Sequence, residues 1–276
     1  MRIITLAARL PSRLALPTQL LDFTDFGLAP RADPSLTGYL GVFFLGDKPS
    51  VCFYLSNGNN ANSMVALNKG SPVFDPTKGT VGVRDPSTIP GSGDEAGKKW
   101  YIIGTDLNIA KTTRDAVQRK GSRRIFVWES TDLITWTNER LVTVENATAG
   151  MSFSAPQDYI NRRPTSIIDL EFLPLGNNTY ARFMKDESAK IVFTEISTSG
   201  LFETWVRLGG SSAVNARGVA DKTHLLLDFY GGDGYRPYES TDMRGRRWTA
   251  SDGSGWPKIL RHGSVLPITG GEGGAG

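Results

Sequence analysis

The chain has 276 residues, 39% hydrophobic and 21% charged, with 31 Gly and 15 Pro; that is enough apolar material for a core and too much turn chemistry for a helical bundle. A net charge of +3 is too small and too dispersed to argue for nucleic acid or an anionic membrane. Cys52 is the sole cysteine and His224 and His262 are the only histidines, which excludes an intrachain disulfide and a Cys/His zinc cluster, and no apolar run approaches the ~18 residues of a membrane helix.

Residues 1–37 lack a steady period, and their first apolar run, 3–8, falls short of the roughly 7–15 residues of a signal-peptide core. They read as a leader or linker without a convincing signal peptide. From Gly38 onward, short β-type runs recur at 39–45, 51–55, 100–105, 124–129, 180–184, 190–196 and 224–230, most of them bounded by Gly, Asn, Asp or Pro. No segment shows a sustained 3.6-residue stripe. The reading is an all-β domain over 38–269, followed by a disordered Gly-rich tail at 270–276.

One phrase recurs. IFVWESTDLITW ends at Trp136, IVFTEISTSGLFETW at Trp205 and YRPYESTDMRGRRW at Trp248, and each runs strand, Ser with Thr, turn, Trp. The Ser and Asp side chains suit a turn cap, and the Trp suits a cover over a neighbouring sheet. Ser197 and Ser240 lie about 40 residues apart, in the ~40–50 range of a four-stranded propeller blade. A two-sheet sandwich is the competing architecture, but sandwiches do not usually repeat such a phrase.

Together with GVRDPSTI at 82–89, KKWYIIGTDLNI at 98–109, IIDLEFLPLGNNTYARFMKDE at 167–187, HLLLDFYGGDGYRPYESTD at 224–242 and LRHGSVLPIT at 260–269, these phrases resemble glycoside hydrolase family 43. The nearest likeness is to its fungal α-L-arabinofuranosidase, arabinanase and β-xylosidase members. The resemblance implies a five-bladed β-propeller and inversion at the anomeric carbon by three carboxylates. Inversion needs one carboxylate to deprotonate a water and a protonated carboxyl on the other side of the sugar, roughly 6.5–9.5 Å away. A third negative charge nearby helps hold that acid neutral.

By that resemblance Asp85, in Arg84-Asp85-Pro86, is the general base, and Asp169, in Ile167-Ile168-Asp169-Leu170, is the Asp that tunes the acid's pKa. Taken alone, an Asp-Pro pair is a turn and a strand-edge Asp is a cap. The acid of a Glu-Gly-Pro motif is missing: GGSSAVNARGVADKTHLLLD contains no such motif, and Asp221, its carboxylate before the strand, reads as an exposed turn. A second gap follows 149–151, where relatives carry a Trp-Ala-Pro-Glu strand. Here SAPQ at 154–157 only mimics it, so one blade is expected to be incomplete.

The resemblance also places His262 on the axis beside a hydrated calcium ion and turns Asp106, Asp228 and Arg236 toward the substrate. It implies no required cofactor, and as partners arabinan, arabinoxylan or xylan, with neither nucleic acid nor membrane. It further implies a monomer working outside the cell. Trp100 and Trp128 read as core residues. Asn146-Ala147-Thr148 and Asn177-Asn178-Thr179 are glycosylation sequons, meaningful in a secreted chain. Two other readings stay open: a carbohydrate-binding propeller with impaired catalysis, and a damaged relative that has lost two internal pieces.

Overall fold

The computed structural model describes residues 4–6, 36–46, 48–113, 121–143, 159–160, 162, 164–189, 191–207, 223–229, 232–240 and 249–270. Among these the strands are β1 (Ile4–Leu6), β2 (Leu36–Leu45), β3 (Lys48–Asn57), β4 (Asn60–Ala66), β5 (Val83–Pro90), β6 (Trp100–Asp106), β7 (Arg124–Ser130) and β8 (Thr137–Thr143). They continue with β9 (Ile167–Gly176), β10 (Thr179–Asp186), β11 (Ile191–Ser197), β12 (Val206–Arg207), β13 (Thr223–Phe229), β14 (Gly234–Ser240), β15 (Thr249–Ala250) and β16 (Leu260–Thr269). Helix among the described residues is limited to short 3-10 turns, and none is long and apolar enough to cross a membrane. The fold class is all-β, of the β-propeller type. Four four-stranded sheets stand among the described residues where five blades are expected.

The chain clusters into two compact units. One comprises residues 37–158 and 257–276 and carries the sheets β16-β2-β3-β4 and β5-β6-β7-β8. In its second sheet, successive strands pair antiparallel in chain order, as short turns between neighbours dictate. Its first sheet is closed by β16, laid beside β2 so that the Thr37 hydroxyl donates to the Ile268 carbonyl while Gly46 lies beside Arg261. β2 is buried along almost its whole length and reads as a continuous apolar run, whereas β6 alternates, turning Trp100, Ile102, Gly104 and Asp106 inward. The core between these two sheets is aromatic. Trp128 stacks on Phe126 at 5.0 Å and meets Phe74 at 4.7 Å, and both Trp100 and Trp128 are buried. Such pairs each contribute about 0.5–1.5 kcal/mol beyond their burial.

The other unit, residues 1–36 and 159–256, carries β9-β10-β11-β12 and β1-β13-β14-β15. β9 and β10 form a hairpin across Asn177 and Asn178, both at positive φ (46° and 57°). A two-residue turn that matches the strands' right-handed twist requires this pair of conformations, and Asn tolerates them. β1, inside the segment expected to be a leader, pairs parallel with β13, Ile4 to Leu6 facing Leu225 to Leu227.

The repeated phrase has a structural counterpart. At its first copy the Leu133 N–H donates to Ser130 Oγ, and the Trp136 indole N–H donates to the Leu133 carbonyl at 3.2 Å. At the second, the Gly200 N–H donates to Ser197 Oγ, and Trp205 donates to the Leu201 carbonyl at 3.3 Å. Trp136 reaches Phe53 on the adjacent sheet at 5.9 Å. Trp205 differs, lying against Phe172 and Arg182 of its own sheet. The third copy's Trp248, the SAPQ stretch and the tail beyond Gly270 lie outside the described residues.

Candidate functional site

Asp85 is the third residue of β5. Arg84 pairs with Thr105 and Ser87 with Ile103, so Asp85 and Pro86 together face Gly104 alone. This is a β-bulge, which bends a strand and re-aims a side chain. Asp85 has φ +50°, a left-handed conformation that costs an L-residue about 1–2 kcal/mol and that Asp accepts more readily than most. Gly104 makes room for it, since a Cβ there would lie 2.4 Å from Val83 Cγ2 and 3.3 Å from the Arg84 carbonyl.

Asp169 repeats the arrangement in the other unit. It is the third residue of β9. Ile168 pairs with Lys185 and Glu171 with Phe183, so Asp169 and Leu170 face Met184 alone, and φ is +55°. Strained residues in bulges at the start of a sheet are a recurring feature of functional sites.

The carboxylate of Asp85 has a partner on β16. His262 Nδ1 lies 3.0 Å from Asp85 Oδ1, and the imidazole meets the Phe44 ring edge-on at 6.2 Å. Further along both strands, the Thr88 N–H donates to Ser264 Oγ at 2.7 Å, so β5 and β16 are fastened twice. Arg84 lies over Phe44 at 4.9 Å. Burial pushes the Asp85 carboxyl up, but the His262 hydrogen bond and the positive charges of His262, Arg84 and Arg261 outweigh it and hold the group below the usual carboxylate range. Such a group is ionised at neutral pH, as a general base must be.

A calcium ion beside His262 finds a poor donor set here. Calcium takes six to eight oxygen ligands, whereas Nδ1 of His262 is bonded to Asp85, and no three His, Cys, Asp or Glu side chains among the described residues converge to hold a metal. The described residues do not fit a cation held by protein carboxylates.

The remaining site candidates are placed as follows. Asp106, at the end of β6, is buried; its carboxylate accepts from the Thr80 N–H at 2.7 Å and the Ser122 hydroxyl at 2.7 Å, and pairs with Arg124 at 3.3 Å. Those contacts tie the β6 end to the 79–82 and 121–124 loops. Asp228 is buried on β13 opposite Tyr235. Arg236 is exposed, pairs with Asp233 at 2.7 Å and lies over Phe229 at 4.4 Å. The interval in which an acid is expected, with Asp221, lies outside the described residues. Glu195, the buried carboxylate of β11, accepts at 2.5 Å from Arg162 and at 2.8 and 2.5 Å from Arg182. Both its oxygens are engaged by guanidinium groups.

The sequence reading missed three contributors: Gly104, Phe44 and Ser264. Only Gly104 left a signal, as an isolated Gly within a strand, which marks a bulge or a close backbone approach.

A family model described as "Probable glycosyl hydrolase domain", of the family 43-related type, matches residues 34–154 and 151–273. The two matches meet at the gap noted after residues 149–151. An α-L-arabinofuranosidase of Bifidobacterium longum subsp. longum is 30% identical over 131 residues, 45% of this chain but only 12% of that protein. Among solved structures, a GH43_1 enzyme from Xanthomonas citri covers 86% of this chain and 67% of its own, at 13% identity and a TM-score of 0.30. The GH43_1 enzyme of that organism complexed with xylotriose covers 79% and 60%, at 11% identity and a TM-score of 0.26.

Proposed function

Because the chain belongs to the family 43-related glycosyl hydrolase domains, we propose that it hydrolyses arabinose- or xylose-containing cell-wall polysaccharide with inversion, as a secreted monomer. Asp85 takes a proton from water, the water oxygen attacks the anomeric carbon as the bond to the leaving sugar oxygen breaks, and that oxygen takes its proton from solvent water. Asp169, the bulge carboxylate of β9, is the candidate for the charge that tunes a proton donor's pKa. Asp106, Asp228 and Arg236 are the substrate-facing candidates, and Asp106 also braces the 79–82 and 121–124 loops of its own unit. No step runs through a metal ion. The observation that carries this reading is Asp85 itself, strained into a bulge and kept ionised by His262.

General acid assistance contributes ~10²–10⁴-fold, and no Glu-Gly-Pro motif supplies it here. The expected substrate profile follows from leaving-group chemistry. 4-Nitrophenyl α-L-arabinofuranoside or β-xyloside, whose phenolate departs unaided, is cleaved with inverted anomeric configuration by proton NMR, and Asp85→Asn abolishes release. Natural arabino-oligosaccharides are cleaved at least ~10²-fold more slowly. Equal rates on both classes would show that an acid is present. No release from either glycoside would end the reading.

One observation favours a second reading, binding without turnover: both oxygens of the buried Glu195 are already engaged by Arg162 and Arg182. Calorimetry with arabinotriose separates the two, through heat of binding with no reducing sugar released.

A further inference from the structure

We propose that His262 is a positioning residue for Asp85, doing directly, through its imidazole, the work that a hydrated cation would otherwise do at this position. The proposal rests on Asp85 being the general base. The Asp85 carboxylate turns about two bonds and its side chain is only partly covered, 45% exposed, so packing alone does not fix it. The Nδ1 contact at 3.0 Å supplies the missing restraint.

The imidazole is itself held. Phe44 meets it edge-on. Gly263, the next residue, lies so close to β2 that a Cβ would sit 2.1 Å from the Val42 carbonyl oxygen, which fixes the β16 backbone against β2. Ser264 then receives the Thr88 N–H. Two contacts from residues two apart on β16 therefore bracket the bulge on β5, and His262 is the one that reaches the reactive oxygen. The donor set argues against a cation between the two side chains: Nδ1 of the imidazole and Oδ1 of the carboxylate are bonded to each other.

Misplacing a reacting group by about 1 Å costs up to ~10²-fold in rate, which sets the expected effect. On 4-nitrophenyl α-L-arabinofuranoside, His262→Phe keeps the ring against Phe44, lowers kcat about 10²-fold and leaves KM within about threefold. His262→Asn, which retains an N–H near the Nδ1 position, recovers at least about tenfold of that loss. EDTA and added calcium chloride change neither variant nor the wild type. His262→Leu replaces the Phe variant if the latter does not fold. Wild-type kcat in the Phe variant while Asp85→Asn is dead, or activity lost to EDTA and restored by calcium, overturns the proposal. Should the wild type release no nitrophenol, the base reading has failed separately, and thermal unfolding of Asp85→Gly, His262→Phe and the double variant decides. Losses in Tm that do not add support the coupling, and losses that add overturn it.

Discussion

Asp85 and Asp169 hold the same station in two different sheets. Each is the third residue of the strand that opens its sheet, each has φ near +50°, and each shares a two-against-one bulge with the residue that follows. One backbone device serves two carboxylates. Position 169 can therefore be tested through its conformation as well as its charge. Asp169→Asn, which tolerates the left-handed region, is expected to leave Tm nearly unchanged and to lower hydrolysis of 4-nitrophenyl α-L-arabinofuranoside more than tenfold. Asp169→Ala is expected to lose the same activity and about 1 kcal/mol of stability besides, read from urea unfolding. Full activity in Asp169→Asn would remove the residue from the chemistry.

Gly104 is the partner that the Asp85 bulge requires. Gly104→Ala drives a methyl to 2.4 Å from Val83 Cγ2, a fully buried side chain. Overpacking of this kind costs about 1–3 kcal/mol. The urea midpoint should fall by a matching amount, and kcat should fall with it, because the bulge that aims Asp85 shifts. An unchanged midpoint would mean that the β5–β6 pair yields without strain.

Glu195 makes the opposite prediction. Glu195→Gln leaves Arg182 buried against Trp205 and Tyr159 without its counter-charge. Breaking one side of a buried pair costs about 3–5 kcal/mol. Unfolding should show that loss, while the pH profile of aryl-glycoside hydrolysis below the melting temperature stays where it is. A profile of natural arabino-oligosaccharide cleavage that loses its alkaline limb would make Glu195 the proton donor.

Asp132 gives a pH signature. Its carboxylate accepts from the Ile134 and Thr135 N–H groups at 2.8 and 2.7 Å, and these bonds, Thr135 first, pull its pKa from 3.8 to about 2. A carboxyl depressed on folding contributes stability above its unfolded pKa and loses that contribution as pH falls from about 4 through about 2. The group is exposed, so the effect is small and screened by salt. Asp132→Asn should be less stable than the wild type at pH 6, with the gap closing by pH 2 in thermal unfolding. A gap that persists at pH 2 would assign the effect to something other than the charge.

The strands that the sequence revealed are those whose apolar runs lie in the middle of a sheet. β2, β3, β6, β7, β10, β11 and β13 match the predicted runs to within a few residues. Of those it missed, β5, β9 and β16 open or close a sheet and break their own pattern. Asp85-Pro86 and Asp169 interrupt the alternation because they bulge, so strands carrying candidate chemistry lack the period that betrays a strand. The Ser-to-Trp phrase was legible because its hydrogen bonds are local, three or four residues long. The His262–Asp85 contact was not. It joins residues remote in sequence, and nothing near either one announces the other.

Two sheets, β5 to β8 and β9 to β12, are each built from one continuous stretch of chain, whereas the other two take an edge strand from far away. β16 returns to β2 from 231 residues downstream at the Thr37–Ile268 contact, and β1 reaches β13 from a comparable distance. Closing loops of that size carries an entropic cost that must be met before their contacts form. The contiguous sheets therefore consolidate early and the mixed ones late. Amide exchange should be fastest where three residues of β1 lie along seven of β13, so the molecule frays first at a seam between segments remote in sequence.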